Sequence, residues 1–184
     1  YAREGTLAHE AAEKSAAFFF GQLPKDELTR WLDAFAPEVG DCDEMFEHAR
    51  AWAQVLARFE EDMGGAQVLL EQRFETGVPS CWGTADAVLV SGDTVHVCDF
   101  KYGQGVKVNA ANNPQMMLYA LGALDTFSLV SEIKHVAMTI YQPRRENIST
   151  WTIPVTELKA WAENELKPRA ALAYEGKGEY HPGP

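Results

Sequence analysis

The stretch from Gly83 to Lys101 constrains the fold of this chain more than any other. Residues 82–90 and 94–101 are apolar and rich in β-formers, and Ser91-Gly92-Asp93-Thr94 between them is a strong turn signal. Together they predict a β-hairpin. A two-residue Gly92-Asp93 loop pairs Ser91 with Thr94, and a four-residue loop pairs Val90 with Val95. Either register places Asp86 opposite Asp99. Successive strand residues alternate faces, so Asp99 and Lys101 share a side with Val95 and Val97, while His96, Cys98 and Phe100 take the other.

Facing carboxylates on a half-buried sheet repel each other, because directly opposed side chains lie only about 4.5–5.5 Å apart at Cβ. A divalent cation between them removes the repulsion. Mg²⁺ favours one or two carboxylates completed by waters and phosphate oxygens. Lys101 beside such a cation can stabilise charge developing on phosphorus oxygens, or orient and help deprotonate an attacking water. The Asp/Glu-x-Lys pattern by itself says little. It also occurs at Glu132-Ile133-Lys134, Glu157-Leu158-Lys159, Glu165-Leu166-Lys167 and Glu175-Gly176-Lys177, where solvated surface charge is the simpler reading. Only at Asp99 does a hairpin supply a second carboxylate.

Around this hairpin the periodicity predicts helices over 6–21, 25–35 and 43–63, the first capped by Thr6 and ended by Pro24, the third closed by Gly64 and Gly65. A strand through Val68–Phe74 precedes the hairpin. A glycine-bearing loop, 103–113, then leads to a helix over 114–127, with Asn113 as cap and Pro114 in the first position. Strands near 133–141 and 148–153, a helix over 155–173 and an irregular tail over 176–184 complete the order. This is an α/β pattern: a mixed sheet flanked by helices. With 184 residues, one domain is expected, with a helical part (1–65), a sheet and site core (66–154) and a C-terminal helix and tail (155–184). The start at Tyr1 and the end at Pro184 suggest a chain trimmed at both ends.

No apolar run approaches the ~20 residues of a membrane span. Cys42, Cys81 and Cys98 form no CxxC pair, which disfavours zinc and a disulfide framework and suits a reducing cytoplasm. The net charge of −11 weighs against tight nucleic-acid binding. The acidity, however, is concentrated at one end: residues 1–65 carry 6 basic and 14 acidic side chains, residues 66–145 carry 6 and 7. A local groove around the hairpin remains compatible with DNA.

Gly83-Thr84-Ala85-Asp86 followed by Asp99-Phe100-Lys101 resembles the core of the PD-(D/E)XK nuclease superfamily. Gly5-Thr6-Leu7-Ala8-His9 is similar to the N-terminal helix motif of its RecB-like, phage-exonuclease branch, and Gln115 with Tyr119 to that branch's Gln-x-x-x-Tyr helix. The resemblance runs from about Gly5 to Tyr119 and implies a restriction-endonuclease-like core with a hairpin-borne active site. It implies that His9, Asp86 and Asp99 ligate Mg²⁺ or Mn²⁺ with the Phe100 carbonyl, that Lys101 is the catalytic lysine, and that Gln115 and Tyr119 contact DNA or support the site. Taken alone, His9 reads as a surface or capping residue, Gln115 as a surface residue and Tyr119 as a core-edge aromatic.

Glu10 and Glu13 are candidate partners of His9, and Glu71, ahead of Glu75, is a candidate further ligand. His48, His96 and His135 read as structural; Arg73, Lys107, Arg144 and Arg145 read as solvated charge. Two departures from the family stand out. Ala85 replaces the proline of the superfamily's name, and the cysteines that hold an iron–sulfur cluster in some members have no counterparts here. The implied function is a Mg²⁺/Mn²⁺-dependent deoxyribonuclease, an exonuclease in phage or bacterial recombination and repair. Its implied partners are DNA and a phage recombinase or single-strand annealing protein, with the oligomeric state open. The alternatives are a non-catalytic DNA- or recombinase-binding module of the same fold and a metal-dependent hydrolase of another phosphoester.

Overall fold

A computed structural model describes residues 2–39, 42–78 and 80–177. Three helices come first: α1 (Ala2–Phe19), α2 (Lys25–Val39) and α3 (Asp43–Asp62). Strands β1 (Gln67–Glu75), β2 (Trp82–Ser91) and β3 (Thr94–Phe100) follow, then α4 (Pro114–Phe127), β4 (His135–Gln142) and β5 (Asn147–Pro154). The last helical stretch is α5 (Val155–Trp161), a π turn over Ala162–Leu166, and α6 (Lys167–Tyr174). The irregular tail expected from Gly176 lies outside the described residues beyond 177.

The five strands stand in the order β1-β2-β3-β4-β5, antiparallel except for the parallel pair β3–β4, which α4 connects. The protein is thus a mixed α/β fold, a five-stranded mixed sheet flanked by helices. Among the described residues no helix is long and apolar enough to cross a membrane.

β3 is central and buried along nearly its whole length, which is why Val95-His96-Val97-Cys98 reads as an almost unbroken apolar run. Its two faces feed two cores. Val95 and Val97 pack with Met116, Leu124, Met138 and Leu158 beneath α4 and α5. Cys98 and Phe100 pack with Trp52, Leu56 and Ala12 beneath α1 and α3. The alternation expected from the sequence holds. His96 faces the α3 side, packs on the Phe59 ring and bonds Thr139 Oγ1 at 2.7 Å. Burial lowers its imidazole to about 4, so it is a neutral core residue.

Two boundaries differ from expectation. α1 begins at Ala2, so Thr6 lies inside the helix rather than at its start, and the helix ends at Phe19, ahead of Pro24. At α4 the expectation holds: Asn113 accepts from the Gln115 and Met116 amides and Pro114 opens the helix.

Candidate active site

The hairpin adopts the tighter register, with Ser91 against Thr94 around Gly92-Asp93. Pairing runs as far as Ala87–Cys98 and stops one residue short of the two carboxylates. There the backbone ladder gives way to a side chain: the Phe100 amide donates to Asp86 Oδ2 at 2.6 Å. The expectation that Asp86 and Asp99 form a paired position is corrected to this extent. They continue the register, but a carboxylate takes the place of a backbone acceptor. β1 breaks at the same level. Its ladder to β2 skips Glu71, which holds a left-handed backbone (φ +50), between Leu70–Ala87 and Gln72–Ala85. A non-glycine residue there is uncommon and costs energy.

His9 arrives from the α1 side. Ala8, Ala11, Ala12 and Ala16 are fully buried, and such small side chains let α1 lie close to the sheet and α3. His9, at the rim of that face, packs edge-on to the Phe100 ring with centroids 5.4 Å apart and puts Nδ1 3.1 Å from Asp86 Oδ1. Burial alone would lower its imidazole. The hydrogen bond and charge of Asp86, backed by Asp99 and Glu71, outweigh that and hold it above its ordinary value.

The opposite side is set by α4. Lys101 follows the end of β3, its amide donating to Tyr141 O at 2.8 Å. Its ammonium lies 2.9 Å from Asp99 Oδ2 and donates to Gln115 Oε1 at 3.1 Å. Gln115 Nε2 donates to Tyr119 Oη at 2.9 Å and reaches Asp99 Oδ1 at 3.5 Å, the long limit of a hydrogen bond. Tyr119 in turn depends on Gly83: a Cβ at that glycine would stand 2.3 Å from the Tyr119 ring.

Asp99 is the most constrained of these groups. Only 5% of the residue is exposed, and the group that faces its Oδ2 is the Lys101 ammonium at 2.9 Å. Burial first, and the charge of Asp86 second, push its carboxyl above the usual range against the pull of Lys101. The buried Cys98 thiol is held well above its ordinary value by burial and the same two carboxylates, which makes it inert.

His9, Asp86, Asp99, Lys101, Gln115 and Tyr119 therefore converge, and Phe100 contributes its amide and ring. Glu71 stands close enough that burial, Asp86 and Glu13 raise its carboxyl to about 7. Glu10 does not join them. Its Oε1 accepts a 2.6 Å bond from Trp31 Nε1 on α2. Glu13 pairs with Lys14 at 2.9 Å. Arg144 is no free cation: it bonds Glu4 on α1 at 2.8 Å, lies 3.6 Å from Glu44 on α3 and sits over the Tyr102 ring. Arg73 stacks on Trp82. Among the described residues no three His, Cys, Asp or Glu side chains stand as a ready-made metal cage.

A family model covers residues 1–184 from end to end, that of DUF2800, described as a protein family of unknown function. This chain belongs to that family. A solved structure, the crystal structure of SSO0001, is similar over 63% of this chain at 16% identity, with a TM-score of 0.31. The match takes in 56% of that structure's own length, little more than half of it.

Proposed function

We propose that this DUF2800 protein is a metal-dependent DNA nuclease with a restriction-endonuclease-like core of the PD-(D/E)XK kind. The observation that carries the reading is Asp99, a buried carboxylate held beside a second one, Asp86, with the Lys101 ammonium 2.9 Å from its Oδ2 and His9 on the far side of Asp86. Lys101 supplies one positive charge to Asp99 Oδ2, but two neighbouring carboxylates against that one ammonium leave negative charge that is costly to bury. The donor set fits a hard divalent cation. Asp86 and Asp99 would supply the oxygens that Mg²⁺ or Mn²⁺ prefers, with His9 as a nitrogen ligand better suited to Mn²⁺. Bound there, the cation supplies Lewis acidity toward a phosphate and a more acidic water.

The chain's own groups account for the rest. The Phe100 amide fixes the Asp86 carboxylate. Gln115, in the first turn of α4, holds the Lys101 ammonium at Asp99 and is itself held by Tyr119. Lys101 is thereby placed to stabilise negative charge on a phosphate lying against the two aspartates. DNA is the proposed substrate; a cytoplasmic setting and a recombination partner belong to the same reading.

The test is degradation of linear and single-stranded DNA with Mn²⁺ or Mg²⁺ by wild type and Asp99→Ala. Metal-dependent cleavage by wild type and its loss in the variant are expected. If wild type degrades neither substrate and the variant behaves the same, a binding module of this fold is the better account, and DNA binding should then survive loss of Asp86, Asp99 and Lys101.

A further inference from the structure

His9 and Lys101 reach the site on two separate segments, α1 and the stretch that follows β3. Neither segment is located by its own packing alone. α1 meets the rest of the protein through Ala8, Ala11, Ala12 and Ala16, all buried. Side chains that small allow close approach but interlock little against a slide along the helix axis. The stretch after β3 runs without helix or strand until α4.

The short turn between β4 and β5 holds both. Gln142, buried at the end of β4, accepts from the Val108 amide at 2.7 Å and donates to Val106 O at 3.2 Å. Two residues on stands Arg144, its side chain only 15% exposed. Its Nη1 donates to Glu4 Oε1, in the first turn of α1, at 2.8 Å. Its guanidinium lies over the ring of Tyr102, the residue after Lys101, at 4.8 Å from the centroid. The Gln104 amide oxygen, in the orientation that suits the donors, accepts from Arg144 Nε at 3.1 Å and Nη2 at 2.6 Å. Glu44 on α3 is farther away, 3.6 Å from Nε, with its side chain 61% exposed. One planar fork thus grips α1 with one nitrogen and the stretch after β3 with the others and with its face. The Glu4 contact does not pass through His9 or Asp86, so it locates α1 independently of the hydrogen bond between them.

We propose that Arg144 is a positioning residue of the site: it sets where α1 stands against the segment after β3, and so where His9 lies relative to Lys101 and the two aspartates. This rests on the nuclease reading of that site. Its partners here are Glu4, Tyr102 and Gln104, none of them a proposed ligand, so its effect on a bound cation passes through the two segments. Lysine at this position would keep the charge and lose both the fork and the flat face, so charge alone does not replace it.

The test uses the whole chain and two readouts without DNA: amide hydrogen exchange in EDTA, and Mn²⁺ binding followed by EPR. In Arg144→Lys and in Glu4→Gln, exchange at residues 6–9 should quicken severalfold, and Kd for Mn²⁺ should rise roughly tenfold. In cleavage, kcat should fall while KM for DNA holds. Glu4→Gln is isosteric and covers the case in which Arg144→Lys fails to fold. The double variant should bind Mn²⁺ no more weakly than Arg144→Lys alone, because both changes act on one contact. Glu44→Gln should match the wild type. Wild-type exchange and wild-type Mn²⁺ affinity in both folded variants would overturn the proposal and leave the nuclease reading standing. So would an effect of Glu44→Gln as large as that of Glu4→Gln, since net charge rather than a tie to α1 would then be the cause. A wild type that binds no Mn²⁺ and cleaves nothing would sink the nuclease reading; quicker exchange in both variants would still uphold Arg144 as the tie between the two segments.

Discussion

At its closed end the β2–β3 hairpin is regular. Pairs run unbroken from Ser91–Thr94 to Ala87–Cys98, and Val88, Leu89, Val95 and Val97 are completely buried. At its open end, one residue further, the ladder stops. A carboxylate accepts a backbone amide, β1 turns left-handed at Glu71, and Asp99 is buried beside a second carboxylate with Lys101 against it. Both ends belong to the same two strands. The closed end contributes stability and fixes geometry, and the open end holds polar groups that an apolar sheet would exclude. Substitutions at the two ends should therefore have opposite consequences.

The largest expected effect is a reciprocal pair. Asp99→Asn removes a buried charge opposed by burial and by Asp86, so the metal-free protein should melt higher, while Mn²⁺-dependent cleavage falls by at least about a hundredfold. Leu89→Ala deletes a fully buried side chain and should destabilise by about 2–5 kcal/mol in a denaturant titration, with cleavage by the folded fraction kept. An Asp99→Asn protein that melted lower than wild type would break the comparison, since the carboxylate would then be a structural group.

Gly83→Ala comes next. The added Cβ must displace the Tyr119 ring, and overpacking of this kind costs about 1–3 kcal/mol. Because Tyr119 holds Gln115, and Gln115 holds Lys101, cleavage should fall with stability. In the double variant Gly83→Ala with Tyr119→Ala the two stability losses should not add, since the second removes the ring that the first strikes. Additive losses would mean that the glycine matters for another reason.

The sequence made the closed end and the α4 start legible because both rest on local chemistry: a Gly-Asp turn, period-two alternation, and an Asn cap before Pro114. The side-chain contacts at Asp86 depend on how α1 packs, through Ala8, Ala11 and Ala12, which no local pattern encodes. His9 consequently entered through family resemblance. The bond from Trp31 on α2 to Glu10 depends on the same helix packing and has no local signal either. Gly83 facing Tyr119, and Gln142 pinning Val106 and Val108, join residues more than thirty positions apart and left no signal along the chain. Thr6 has the residue type of an N-cap, yet the helix starts at Ala2 and runs through it.

A smaller effect concerns pH. Glu71 has its carboxyl raised to about 7 by burial, Asp86 and Glu13, against His9 and Lys14. The folded protein then holds this proton more tightly than the unfolded chain, so stability is greatest below the unfolded value and declines as pH rises toward 7. His9 acts in the same sense at higher pH: its raised value stabilises below the ordinary imidazole range, and the contribution is lost as pH climbs through the folded value. In EDTA the melting temperature should fall as pH rises from about 5 to 7, and Glu71→Gln should flatten that part of the slope. Solvent around the exposed Glu71 makes the slope shallow. An unchanged slope in Glu71→Gln would detach Glu71 from the open end.

The smallest effect is expected at the third carboxylate of the hairpin, Asp93. Asp93 sits in the turn, its side chain about half exposed and 3.9 Å from both Lys134 Nζ and His135 Nδ1. Exposed pairs of this kind contribute about 0.2–1 kcal/mol. The structural work at this position is done by the backbone: Asp93 O accepts the Lys134 and His135 amides at 2.7 and 3.1 Å, and any side chain preserves those bonds. Asp93→Asn should therefore shift stability by less than about 1 kcal/mol, leave cleavage intact and reduce the salt dependence of melting slightly. Set beside Asp99→Asn, it is the same chemical change on the same hairpin, six residues away. If the two variants altered melting alike, burial and the neighbouring Asp86 would not be what distinguishes Asp99. If they diverge as expected, the difference measures what the open end imposes on a carboxylate that the turn leaves in water.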